Sequence, residues 1–243
     1  MGIILLILSV LLGGAIVVYL QHFNRERLIK ILLSLSGGFL LAIAFVHFIP
    51  EIYANHTSNI GYYILLGFLF QLLLEYFSKG IEHGHIHAEK TNGAIPWSLF
   101  LALSIHAFFE GIPLEAHLSG AHEVIEHFHT GHEHVVMKSL LLGIILHKIP
   151  MAIALMTLLL NSGFSKLKAW MVVGVFSLMA PSGMLFGRLG VGAENLEIIL
   201  AIVVGMFLHI STTIIFESSE NHRFNFIKLV SLLAGVGLAI LVI

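Results

Sequence analysis

His106 and Glu110 stand four residues apart in the apolar stretch LFLALSIHAFFEGIPLEAHL. On a helix that spacing puts both on one face, one above the other. An imidazole and a carboxylate so arranged form half a site for a borderline or harder divalent ion. A third group, His147, occurs in LLLGIILHKIPMAIALM with Lys148 beside it. Each stretch also carries a proline at the same offset, Pro113 three residues after Glu110 and Pro150 three after His147. Proline donates no N–H, so the carbonyl four residues earlier loses its partner: Phe109 in one stretch, Leu146 in the other. Broken helices at the middle of a membrane are tolerated where they line a cavity, and transporters hold ions there. The competing reading of His106 and Glu110 is a satisfied polar pair between helices. Such a pair is costly to bury, and a third ligand type beside a second proline weighs against it.

The elements that position these groups must be membrane helices. The chain has 243 residues, 58% hydrophobic and only 11% charged, with a mean hydropathy of +0.97. A soluble domain carries about 25% charged residues, and this chain has too few to cover a soluble surface. Its apolar residues fall in eight blocks, approximately 2–20, 31–52, 61–77, 96–116, 137–160, 168–187, 196–216 and 226–243. Each is near the roughly 20 residues that cross a hydrocarbon core of about 30 Å. The expected fold is an all-α polytopic membrane protein: a single transmembrane domain over 1–243, with eight transmembrane helices, spans 1 to 8. The blocks are continuous rather than alternating and about twice the length of a barrel strand, which argues against a β-barrel. The opening MGIILLILSVLLGG has no positive n-region and no small-residue cleavage site, so it reads as span 1 rather than a removable signal.

Charge placement orients the spans. Arg25, Arg27, Lys30, Lys79, Lys90, Lys166, Lys168, Arg223 and Lys228 all fall in or beside the 1–2, 3–4, 5–6 and 7–8 loops, whereas the opposite side has only Lys138 and Arg188. By the positive-inside bias both termini are extracytoplasmic. The twelfth basic residue, Lys148, lies within span 5; ionisable groups there are costly and therefore functional candidates. Cysteine is absent, which removes disulfides, cysteine zinc sites and thiol catalysis. A formal net charge of -2 gives no reason to expect a nucleic-acid partner. The 16 histidines outnumber Lys plus Arg at 12, and histidine is the commonest metal ligand.

These segments resemble the ZIP (Zrt/Irt-like) family of divalent metal transporters. SIHAFFEGI in span 4 resembles that family's His-x-x-x-Glu-Gly motif. HKIP in span 5 resembles its fifth-helix motif in the branch where His-Lys replaces His-Glu, and HFIPE (His47 to Glu51) in span 2 looks like His-x-x-Pro-Glu/Asp. MAPSGMLFG in span 6 and GMFLH in span 7 are weaker matches. The resemblance covers nearly the whole chain in the right order. It implies a ZIP-like transport site on spans 4 and 5, with His106, Glu110 and His147 as primary ligands. The position of a common fourth ligand holds Met151, whose thioether is a poor ligand for hard ions, leaving a place for water. Many members hold a second metal, using an Asn and a Glu where this chain has Ala107 and Lys148. Two missing ligands and an ammonium that repels a divalent ion imply one intramembrane ion. Lys148 either pairs with Glu110 until the ion displaces it, or snorkels to the interface. His209 stands where the family commonly has Tyr, and Ile214 where it has an acid, so the resemblance gives no reason to place span 7 in the ion route.

Other candidates are secondary. A short cytoplasmic loop, 78–95, holds His83, His85 and His87. An extracytoplasmic loop, 117–136, holds His117, His122, His127, His129, His132 and His134 with Glu123, Glu126 and Glu133. Both read either as weak, fast-exchanging metal collectors or as solvated polar loops. His47 and Glu51 either line the access path or form a polar helix end. Gln71 and Glu75 in span 3, also four apart, read as packing or interface residues. Gly183 and Gly187 form a small-xxx-small pair in span 6, a device for close helix approach, although glycine is common in membrane helices anyway.

The function expected is zinc uptake toward the cytoplasm by alternating access around one site. Zinc or another divalent transition metal is cargo, not cofactor; two imidazoles and a carboxylate favour zinc modestly. The partners expected are the divalent ion and the lipid bilayer of a plasma or inner membrane. The resemblance and the small-residue faces also raise a homodimer. One rival is an intramembrane zinc metalloprotease, but HExxH is absent and HKIPM puts Lys148 where a general base would stand. Another is a metal-binding receptor without flux.

Overall fold

The computed structural model describes residues 2–19, 25–55, 59–78, 97–116, 132–190, 193–217 and 226–242, and no strand occurs among them. In chain order the helices are α1 (Gly2–Tyr19), α2 (Arg25–Ile43), a π-helical turn (Ala44–Phe48) leading into α3 (Ile49–Asn55), α4 (Ile60–Ser78), α5 (Trp97–Ala116), α6 (His132–Asn161), α7 (Lys166–Ser177), α8 (Met179–Gly190), α9 (Ala193–Glu217) and α10 (Phe226–Val242). Seven stretches are long and apolar enough to cross a membrane: Gly2–Tyr19, Arg27–Ala54, Ile60–Ser78, Trp97–Leu114, Ser139–Asn161, Lys166–Leu189 and Asn195–Ile214. The eighth, Phe226–Val242, is apolar but 17 residues long, about 26 Å at the usual helical rise. The protein is thus an all-α, multi-pass integral membrane protein.

Prolines act differently from the sequence expectation. Pro113 and Pro150 do not break their helices; each lies inside a helix that continues past it, α5 and α6. Both prolines are buried, and in membrane bundles neighbouring groups make up for the one hydrogen bond a proline removes. Irregularity falls elsewhere. Ahead of Pro50 the ladder widens to a π turn, in which Ile49 N–H bonds to Ala44 O; such turns admit an extra residue. Span 6 divides at Leu178, whose N–H bonds to Val175 O at 3.1 Å, and Pro181 follows in the first turn of α8, where its missing donor is least felt.

The helices pack chiefly as pairs: α2 with α10, α4 with α9, α5 with α8, and α1 with α6. Glycines set two of these approaches. A β-carbon at Gly183 would overlap the Phe108 carbonyl, and one at Gly111 the Ala180 carbonyl, so α5 and α8 meet backbone to backbone. Gly67 and Gly205 do the same for α4 and α9, against Ile202 and Ile64. The small-xxx-small pair of span 6 is therefore used for packing.

Two apolar clusters flank the mid-region. Leu103, Ala107 and Met151 belong to one, together with Leu33, Phe176 and Ile210. Leu114 and Ile144 belong to the other, with Phe39, Ile43 and Phe207. The polar groups of α5 and α6 fall between these anchors along their helices. Outward, α4 exposes Tyr62, Leu65, Leu69, Leu72 and Tyr76. Only 22% of its spanning window is buried.

Of the expected loops, His83, His85, His87, His117, His122, His127 and His129 lie outside the described residues. The range 117–136 is not loop to its end, because α6 begins at His132 and takes in the backbone of His134.

Candidate metal centre

α5 and α6 bring together the three residues singled out by spacing. His106 and Glu110 lie one helical turn apart on α5, and His147 comes from α6; each is fully buried. One ligand atom from each lies within 4.8 Å of the others. Zinc bonds to nitrogen and oxygen of about 2.0–2.2 Å place tetrahedral ligand atoms roughly 3.5 Å apart, so a small closure would fit them around one ion. The imidazole rings are 6.0 Å apart and nearly perpendicular, at 80°. His106 Nε2 lies 2.9 Å from Glu110 Oε1.

Lys148 completes the charge pattern. Its ammonium pairs with Oε2 of Glu110 and lies 5.6 Å from the centre of the Phe176 ring, within cation–π range. The side chain is buried, so it does not snorkel. Glu110 is thus flanked by an imidazole at one oxygen and an ammonium at the other, and its charge is compensated without an ion.

Two helices that supply no ligand reach the site from behind. Gln71 of α4 accepts a hydrogen bond at Oε1 from His106 Nδ1, 2.9 Å away. Ser36 of α2 lies 3.4 Å from His147 Nδ1. Gln71, expected as a packing or interface residue, thus contacts a candidate ligand across the α4–α5 interface. A buried amide in an otherwise apolar span was a usable signal. Ser36 carried none, being an ordinary helical serine 111 residues away from His147 in sequence.

The remaining candidates have other surroundings. Met151 is buried in the apolar cluster with Leu103. His47 lies on the π turn and Glu51 on α3, both half-buried and neither part of the three-residue group. Glu75 pairs with His209 of α9, whose ring meets Phe68 edge-on at 4.8 Å. Thr213 Oγ1 is 3.4 Å from His209 Nε2. His209, unexpected at its position, is thus tied to α4.

Comparison with known proteins adds a family. The family model described as ZIP Zinc transporter matches residues 1–96 and 82–243. The protein zntD of Dictyostelium discoideum is 30% identical over 176 residues, which is 65% of this chain and 24% of that protein. The chain therefore spans about a quarter of the length of this relative.

Proposed function

Because the chain belongs to the ZIP zinc transporter family, we propose that it carries divalent metal cations across a membrane, zinc foremost, through one site formed by His106, Glu110 and His147. The observation that supports this most strongly is the buried convergence of three ligand atoms within 4.8 Å, on helices long enough to span a bilayer. Two imidazoles and a carboxylate suit zinc and similar borderline ions. The family is one of transporters and not of enzymes, and Lys148, paired to Glu110, is no general base.

The ion sheds most of its water, displaces the Lys148 ammonium from Glu110, and binds the two imidazoles in their neutral form. Alternating access then opens the site to the other side. The excess of Lys and Arg on one set of loops places that side in the cytoplasm and both termini outside it, making transport an uptake. Ala107 and Lys148 take the places of two further ligands, which keeps the site to one ion. Lipid covers the exposed leucines of α4, with Tyr62 and Tyr76 toward the two ends of that face.

Zinc influx into proteoliposomes carrying the purified chain, read by an internal fluorescent indicator, tests the reading. Saturable influx supports a transporter. Zinc binding without influx would instead indicate a receptor.

A further inference from the structure

α4 is the least buried of the spanning helices, at 22% of its window, yet Gln71 on it is fully buried. Burying a primary amide without a partner is costly, so a narrow inward face is a poor place for one unless it is used. That face reads Gly67, Gln71, Glu75, a residue every fourth position on one side of the helix. Each has its own contact. Gly67 meets the backbone of α9 at Ile202, and Glu75 pairs with His209, also on α9. Gln71, between them, turns to His106. Two fixed points on α9, one turn to either side, therefore hold the amide in register.

We propose that Gln71, and with it Ser36 on α2, are positioning residues of the metal site: they hold Nδ1 of His106 and of His147 so that each ring presents Nε2 to the ion. This rests on the reading that those histidines bind the cargo. Gln71 Oε1 is an acceptor only, so the proton of the 2.9 Å contact belongs to His106 Nδ1, and the nitrogen left for a metal is Nε2, the one beside Glu110. The Ser36 hydroxyl has one proton, which it gives to Leu33 O at 3.1 Å. Its lone pairs remain for His147 Nδ1, and the same tautomer follows. Metal-bound histidines commonly hold their second nitrogen in this way, and loss of the outer partner weakens metal affinity about 10–100-fold. Here α2 and α4 contribute to the site although neither carries a ligand. Gln71, with the shorter contact, has the larger effect.

The test is a cobalt(II) titration of the purified chain, followed by visible absorption and by zinc competition. Gln71→Leu keeps the volume and removes the acceptor; Gln71→Glu keeps an acceptor. We expect Gln71→Leu to weaken cobalt binding about 10–100-fold and to alter its spectrum, Gln71→Glu to restore both, and Ser36→Ala to give a smaller loss. Wild-type affinity and spectrum in Gln71→Leu would overturn the proposal, as would a Gln71→Glu variant that fails as badly as Gln71→Leu, because packing would then be the whole effect. His106→Ala separates the underlying reading: cobalt binding that survives it overturns both, whereas binding lost in His106→Ala but intact in Gln71→Leu overturns the positioning role alone.

Discussion

The Lys148 ammonium of α6 lies against one oxygen of the Glu110 carboxylate of α5, while His106 Nε2 faces the other oxygen at 2.9 Å. Without an ion, the lysine supplies the positive charge that the buried carboxylate needs. On the proposed reading, an arriving zinc takes over that role and must first move the ammonium aside.

Lys148→Met therefore acts in two opposed ways. It leaves Glu110 buried without its ammonium, a change that destabilises a protein by about 3–5 kcal/mol when one member of a buried pair is removed. It also removes the competitor for the carboxylate. The ion-free variant should melt well below wild type, and saturating zinc should raise its melting temperature by more than it raises that of wild type. Equal melting temperatures and equal zinc-induced rises would show that the ion pair does not balance the site.

On the proposed reading, the stoichiometry depends on the same residue. Calorimetry on wild type should give one intramembrane zinc. Lys148→Glu replaces a repelling charge by a carboxylate and should admit a second, weaker one. A variant that still binds a single ion would count against Lys148 as what limits the site.

Helix contact is the next dependence. Gly111 follows Glu110 directly, and its α-carbon lies against the Ala180 carbonyl. Gly111→Ala forces α5 off α8, because backbone cannot yield as a flexible side chain does. The expected cost is about 1–3 kcal/mol, with weakened zinc binding as Glu110 shifts. Gly174→Ala is the matched control, since nothing lies within 4 Å of that position. Equal zinc affinity and stability in the two variants would show that the α5–α8 approach does not set the site.

Much of this was legible in the sequence, for identifiable reasons. The apolar blocks match helices because lipid leaves the backbone no other open choice. The candidate set His106, Glu110 and His147, which the fold brings together, was legible because ionisable groups in such blocks need a reason to be there. The prolines misled: a missing donor is a local fact, but whether the helix breaks depends on neighbours that the sequence does not place. The π turn at Ala44–Phe48 and the Glu75–His209 pair were not foreseen, because both depend on which helices become neighbours. Residues 71 and 106, or 36 and 147, meet only once α4 packs on α5 and α2 on α6.

Acid should weaken binding. An imidazole protonated at its ligand nitrogen cannot hold zinc, so the ion competes with protons for the site. With two histidines in the set, zinc affinity measured in detergent falls as pH is lowered, and His147→Ala flattens the dependence. A wild-type affinity unchanged on acidification would exclude imidazole from the ligand set.

The most direct measurement compares wild type with His106→Ala in proteoliposomes loaded with a fluorescent zinc indicator. Saturable influx in wild type that falls to the rate of empty vesicles in the variant, with equal incorporation of folded protein, is the result expected. Influx at the wild-type rate in His106→Ala would contradict the account, because the ion would then cross by a route that does not use this site.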